Sequence, residues 1–187
     1  MKLIDMTTLD ETQRAQAAQM LTDELPLGWA TFSDALDEVN SLLDDEDEPD
    51  SLFLAAVEND QVLGWCGILP EYDGRAYEVH PLVVRGDHQG KGIGKQLMAA
   101  VEQAAREKGG LTLYLGADDE APGGETSFAN VDLYDDLPQR IRDFEPGTHQ
   151  SAFYLKLGFT VVGVMPDANG VGKPDIMMAK SLKEESS

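Results

Sequence analysis

The stretch Tyr77-Glu78-Val79-His80-Pro81-Leu82-Val83-Val84-Arg85-Gly86-Asp87-His88-Gln89-Gly90-Lys91-Gly92-Ile93-Gly94 constrains the fold more than any other part of the chain. Its apolar start reads as a strand over 77–84, and its glycines read as a tight loop. Ile93, Leu97, Val101 and Ala105 then recur at the spacing of a helix with one buried face. A strand that passes through such a loop into a helix gathers backbone N–H groups in one concavity, at the positive end of the helix dipole. That concavity suits a phosphate or diphosphate, because glycine lets the backbone approach an anion where a side chain would stand in the way. Glycines that serve only the turn are the other reading of the same loop.

Spacing narrows the choice of phosphate. A nucleotide P-loop needs Gly, four residues, then Gly-Lys-Ser/Thr. Here Gly94-Lys95 has Gln89 where the first glycine belongs and Gln96 where the hydroxyl belongs. A dinucleotide fingerprint, Gly-x-Gly-x-x-Gly, fails as well: Gly90-x-Gly92 runs to Lys95, and Gly92-x-Gly94 runs to Leu97. The pattern present is Gln89-x-x-Gly92-x-Gly94.

The rest of the chain supplies one domain around this element. A short strand near Leu3-Ile4 precedes a helix that Thr8-x-x-Glu11 can cap and that Pro26-Leu27-Gly28 ends after Leu25. A second helix, capped by Ser33, carries the stripe Leu36, Val39 and Leu43, and the acidic run 44–50 reads as a solvated loop. Leu52–Val57, Val62–Leu69 and Tyr77–Val84, joined by turn signals at Asn59-Asp60 and Tyr72-Asp73-Gly74, predict an antiparallel meander. A helix to about Lys108 ends at Gly109-Gly110. The strand Leu111–Leu115 then follows, parallel to 77–84 by the strand–helix–strand order. Residues 116–148 read as irregular, Ser151–Leu157 as a short helix, and Phe159–Met165 with Ile176–Ser181 as a hairpin. The expected fold is α+β: a central mixed, mostly antiparallel sheet flanked by helices. Residues 1–182 form one domain, and 183–187 a frayed tail.

Charge bears on partners. With 14 Lys+Arg against 35 Asp+Glu, a net charge of −21 argues against nucleic acid and suits a polycationic small-molecule substrate. An acidity adapted to solubility or salt is the competing explanation. No apolar run reaches the roughly 20 residues of a membrane span, so no membrane partner is expected. The single cysteine, Cys66, lies in an apolar strand, which suits an inert core thiol and a reducing cytoplasm.

Gln89-x-x-Gly92-x-Gly94, followed by Phe153-Tyr154-Leu155-Lys156-Leu157-Gly158-Phe159, resembles the GNAT N-acetyltransferase superfamily, whose loop binds the diphosphate of acetyl-CoA. Glu78–Val84, Tyr114–Asp119, Asp132-Leu133-Tyr134, Val162–Gly170 and Lys173–Ile176 look more narrowly like the chromosomal aminoglycoside 6'-N-acetyltransferases. That resemblance implies the GNAT fold, with strands 77–84 and 111–115 splayed around the cofactor. It also implies acetyl-CoA as donor, the 6'-amino group of an aminoglycoside as acceptor, and a homodimer. His149-Gln150-Ser151-Ala152 and the Pro/Gly-rich loop after Asp119 depart from the family pattern.

Acetyl transfer needs a deprotonated amine, a polarised thioester carbonyl and a stabilised leaving thiolate. Glu78, a carboxylate in an apolar strand, is the candidate base and ammonium ligand; a carboxylate tied to a neighbouring cation or amide is the alternative. His80 shares its face by the period of two, either orienting the substrate or simply packing. By resemblance, the N–H of Leu82 faces the thioester oxygen, and Tyr154 lies near the sulfur as the proton donor; a packing tyrosine is the competing reading. Leu82, Val83, Val84, Gln89, Gly90, Lys91, Gly92, Ile93, Gly94, Lys95 and Tyr154 form the expected cofactor contacts. Asp118, Asp119, Glu120 and Asp175 are candidate ligands for the ammonium groups of the acceptor. The proposed chemistry requires no metal. Other amine acceptors (a polyamine, a metabolite or a protein), or a non-catalytic acyl-CoA-binding regulator, are the competing functions.

Overall fold

The computed structural model describes residues 1–44 and 50–183. The acidic residues 45–49 and the tail residues 184–187, expected as a solvated loop and a frayed end, lie outside them. The chain divides into two units, Met1–Leu111 rejoined by the chain from Leu182, and Thr112–Ser181.

In the first unit, β1 (Lys2–Asp5), β2 (Leu52–Glu58), β3 (Gln61–Glu71) and β4 (Ala76–Val84) form an antiparallel sheet in chain order. The expected meander is present, with β1 added at its edge. Asn59 and Asp60 take positive φ of 50° and 61°, the two-residue turn whose twist matches the strands it joins. Helices α1 (Glu11–Glu24), α2 (Phe32–Asp44) and α3 (Ile93–Glu107) complete the unit. Ala17, Ala18 and Leu21 of α1 are buried in one cluster with Val39, Phe53, Val62 and Val83. Trp65 sews α1 to the sheet, its indole N–H donating to the Ala17 carbonyl at 3.2 Å. Gly109, at φ 88°, ends α3 by letting the Gly110 N–H reach the Ala105 carbonyl at 2.8 Å.

Two helix starts differ from expectation. Thr8 sits in a 3-10 turn with its hydroxyl donating to the Asp5 carbonyl, and α1 is capped instead by a reciprocal box between Asp10 and Gln13. Ser33 lies inside α2. Thr31 acts as the cap, its hydroxyl accepting the Asp34 N–H at 3.2 Å.

In the second unit, β5 (Thr112–Asp118), β7 (Asp175–Ser181) and β6 (Thr160–Met165) pair antiparallel in that order. β5 runs three residues past the expected Leu115 because β7 begins at Asp175, opposite Asp118. The stretch expected to be irregular contains α4 (Leu137–Arg142), entered through Asp136 in the left-handed region with Pro138 in the first turn. The short α5 (Ser151–Lys156) ends before Gly158, whose φ is 89°. Among the described residues, no helix is long and apolar enough to cross a membrane.

Candidate functional site

The first unit contributes a half-buried row and a loop of unsatisfied amides. Along β4, Tyr77, Val79, Pro81 and Val83 are buried, while Glu78, His80, Leu82 and Val84 are intermediate, so the expected shared face is the accessible one. The ladder breaks at Pro81. Cys66 pairs with Leu82 and Ile68 with Val79, so His80 and Pro81 together stand opposite Gly67. A proline has no N–H to give the ladder, and a bulge accommodates it while re-aiming its neighbours. Gly67 is required there: a Cβ on it would lie 2.3 Å from the Phe53 ring and 2.5 Å from the His80 carbonyl oxygen.

Two residues with no motif of their own meet this row. His80 Nε2 lies 3.5 Å from a Glu38 carboxylate oxygen on α2, and its ring centroid lies 6.0 Å from that of Trp29, in the α1–α2 connection. No local pattern marks Trp29 or Glu38; only the packing of α1 and α2 on the sheet places them beside β4.

Beyond β4 the chain makes a 3-10 turn, Gly86–His88, before α3. Arg85 and His88 both bond the Asp87 carboxylate, at 2.9 and 2.7 Å. The His88 hydrogen bond, with help from Arg85, holds that carboxyl below its ordinary value. Gln89 donates its side-chain amide to the Val84 carbonyl and to Glu24, both at 3.0 Å. Gly90 and Gly92 have φ of 72° and 85°, a region costly for any other residue, and a Cβ on either would meet nothing within 4 Å. Among the described residues, no protein acceptor meets the N–H groups of Gly90, Lys91, Gly92, Ile93, Gly94 and Lys95; the first helical bond of α3 is from Gln96 to Gly92. Ile93 is buried and anchors the helix start, while Lys91 and Lys95 are exposed. Six open amides, two cations and clear space before two glycines fit a diphosphate.

The second unit gathers carboxylates at one end of the β5–β7 pair. Asp118 and Asp175 are register partners, and Gly116 leaves room for Asp175, whose carboxylate would lie 2.9 Å from a Cβ there. Asp118 is exposed and bonds the Asn169 amide. Burial, then the neighbouring Asp118 charge, pushes the Glu120 carboxyl above its ordinary value, with Lys173 opposing. Asp119 is placed differently. It is 0% exposed, and its two oxygens accept the Glu125 and Thr126 N–H groups at 2.9 and 2.8 Å. Its carboxylate therefore faces the loop backbone, whereas Asp118 faces solvent.

His149, after which the sequence departs from the family pattern, is buried. Its Nε2–H donates to the Asp118 carbonyl at 3.0 Å, which leaves Nδ1 to accept from Ser151. It fixes the strand end that carries Asp118. Tyr154 is 7% exposed, with ring centroids 5.2 Å from Phe153 and 5.7 Å from Phe159, both edge-on. Cys66 is fully buried, and burial pushes its thiol up, away from the thiolate a nucleophile needs.

The model of the acetyltransferase (GNAT) family matches residues 15–122. No curated protein matches the chain. Among solved structures, an aminoglycoside 6'-N-acetyltransferase complexed with coenzyme A is 32% identical, with all of both chains covered and a TM-score of 0.90. The aminoglycoside 6'-N-acetyltransferase from Enterococcus faecium is 31% identical over all of both chains, with a TM-score of 0.87. An aminoglycoside 6'-acetyltransferase type Ii is 28% identical over the same extent, at 0.75.

Proposed function

The chain belongs to the acetyltransferase (GNAT) family and is an acetyl-CoA-dependent acyltransferase, and we propose that it acetylates the 6'-amino group of aminoglycosides. The observation that carries this acceptor is the full-length likeness, at 31–32% identity, to two enzymes of that activity. The chain's own chemistry supports it. An aminoglycoside carries several ammonium groups, and Asp118, Glu120 and Asp175 offer carboxylates to such a polycation within a chain of net charge −21.

The reading assigns each step to a residue. Acetyl-CoA, when bound, supplies the thioester whose acetyl group is transferred. Leu82, Val83, Val84 and the loop Gln89–Lys95 hold it, the amides of 90–95 meeting the diphosphate. Glu78 and His80 receive the acceptor. An aliphatic ammonium with a pKa of about 10.4 has no lone pair at neutral pH, so Glu78 takes its proton, directly or through water. The Leu82 N–H donates to the thioester oxygen as charge develops there. Tyr154 gives its hydroxyl proton to the leaving thiolate. Direct transfer between the two bound substrates fits the inert state of Cys66. We assign Asp119 to bracing the loop 120–126 rather than to the acceptor. A homodimer in the cytoplasm completes the reading.

A screen of amines with free-thiol detection, followed by mass spectrometry of the product, tests it. A kanamycin-type drug turned over and acetylated at the 6'-amine is the expected result. Turnover of spermidine without any aminoglycoside would reject the acceptor. Coenzyme A binding without thiol release from any amine would reject this chain's proposed catalysis.

A further inference from the structure

Glu24 is the last residue of α1, where a carboxylate is poorly placed, because the negative end of the helix dipole lies there. The last turn holds no basic residue to offset it. The carboxylate is satisfied instead by the glycine loop, 62 and 65 residues further on. One oxygen accepts the Gly86 N–H at 2.7 Å, and the other accepts the Gln89 side-chain amide at 3.0 Å. That same amide also donates to the Val84 carbonyl at the end of β4. One side chain therefore ties the first residue of the 3-10 turn to the residue that follows it, and through Gln89 both are held to the strand. Arg85, Asp87 and His88 bond one another, and among the described residues Glu24 alone meets the Gly86 N–H.

We propose that Glu24 is a positioning residue for the acyl-CoA site: it sets the turn 86–89 so that the amides of Gly90–Lys95 converge on the diphosphate, without touching the cofactor. This rests on the assignment of residues 82–95 as the diphosphate cradle. The requirement is for an acceptor that bonds two donors in fixed directions, which a carboxylate meets with its two oxygens. Both Glu24 oxygens are turned to Gly86 and Gln89, and a Cβ built on Gly90 or Gly92 would meet neither of them within 4 Å.

The test compares two acyl donors, acetyl-CoA and S-acetyl-pantetheine, the second of which lacks the diphosphate. Glu24→Ala is expected to raise KM for acetyl-CoA about tenfold, since a backbone donor loses its partner and the turn loosens. Its kcat at saturation stays within about twofold of the parent, and KM for acetyl-pantetheine does not move. Glu24→Gln keeps one acceptor for Gly86 but turns an NH2 group toward the Gln89 amide, so it restores half of the loss at most. Unchanged kinetics, or an equal loss with both donors, overturns the proposal. Should Glu24→Ala not fold, Glu24→Gln must itself show a rise in KM for acetyl-CoA alone, smaller than about tenfold; without it the proposal falls. Calorimetry separates the layers. If the parent protein shows no affinity for coenzyme A, the cradle itself is wrong. If parent and Glu24→Ala bind coenzyme A equally, only the role of Glu24 is lost.

Discussion

Replacing Asp119 with alanine separates a loop brace from a substrate ligand, since the two roles predict opposite readouts. The carboxylate is wholly buried and accepts two backbone N–H groups, from Glu125 at 2.9 Å and Thr126 at 2.8 Å. Alanine leaves both donors without partners, while the bond from Asp119 N–H to the Pro174 carbonyl survives. An orphaned buried amide costs about 1–3 kcal/mol. Glu125 and Thr126 are half-buried, so water recovers part of that, and the lower half of the range applies to each. The sum is about 2–4 kcal/mol of stability. For a chain of 187 residues, that lowers Tm by roughly 4–16 °C. Asp119→Asn keeps one carbonyl oxygen but turns an NH2 group toward the other donor, so it recovers half of the loss at most. Urea denaturation with an unchanged m-value measures the loss, and steady-state kinetics at saturating acetyl-CoA measures acceptor KM. A stability change below about 0.5 kcal/mol together with a large rise in acceptor KM would refute the brace and return Asp119 to the substrate.

Gly67→Ala is expected to cost about 2 kcal/mol or more in urea denaturation, because one of the two clashes is with the His80 backbone carbonyl, which cannot rotate away. A fully stable variant would show that the bulge at Pro81 shifts freely. Glu78→Gln should lower kcat about 100-fold while leaving coenzyme A affinity intact by calorimetry, and an unchanged kcat would remove Glu78 as the base. Tyr154→Phe keeps the edge-on packing on Phe153 and Phe159 but loses the hydroxyl, so a folding-competent variant slowed about tenfold is expected. Unaltered turnover would leave Tyr154 a packing residue. The Glu120 carboxyl titrates above its ordinary 4.5, so the folded chain holds that proton more tightly than the unfolded chain does. The stability this adds is present below 4.5 and is lost as pH rises through the folded value. Glu120→Gln should therefore be the more stable form at neutral pH and match the parent below 4.5. Thermal melts across that range check the sign, and a variant less stable at neutral pH would contradict it.

Local chemistry made much of this molecule legible. The Asn59-Asp60 turn, the alternation along 77–84 and the helical stripe from Ile93 to Ala105 are short-range patterns, and the backbone follows them. The left-handed Gly90 and Gly92 follow from the same local rule, since few other residues tolerate those angles. The failures were also local. Thr8 and Ser33 have the composition of caps, but Thr8 ends the preceding 3-10 turn two residues before Asp10, which caps α1, and Thr31 enters α2 first. Asp118 and Asp119 are identical in sequence terms, yet one faces solvent and the other closes a loop.

From its residues alone the chain specifies a strand that ends in a glycine loop opening a helix, and with it the proposed anion cradle, because backbone angles and free amides depend on neighbours along the chain. Which side chains surround that cradle is decided only by the tertiary structure. Glu24 reaches Gly86, and Glu38 and Trp29 reach His80, because packing brings distant segments of the first unit together. No spacing in the sequence records such contacts: they arise from the burial of α1 and α2 against the sheet and from the need of buried amides for an acceptor.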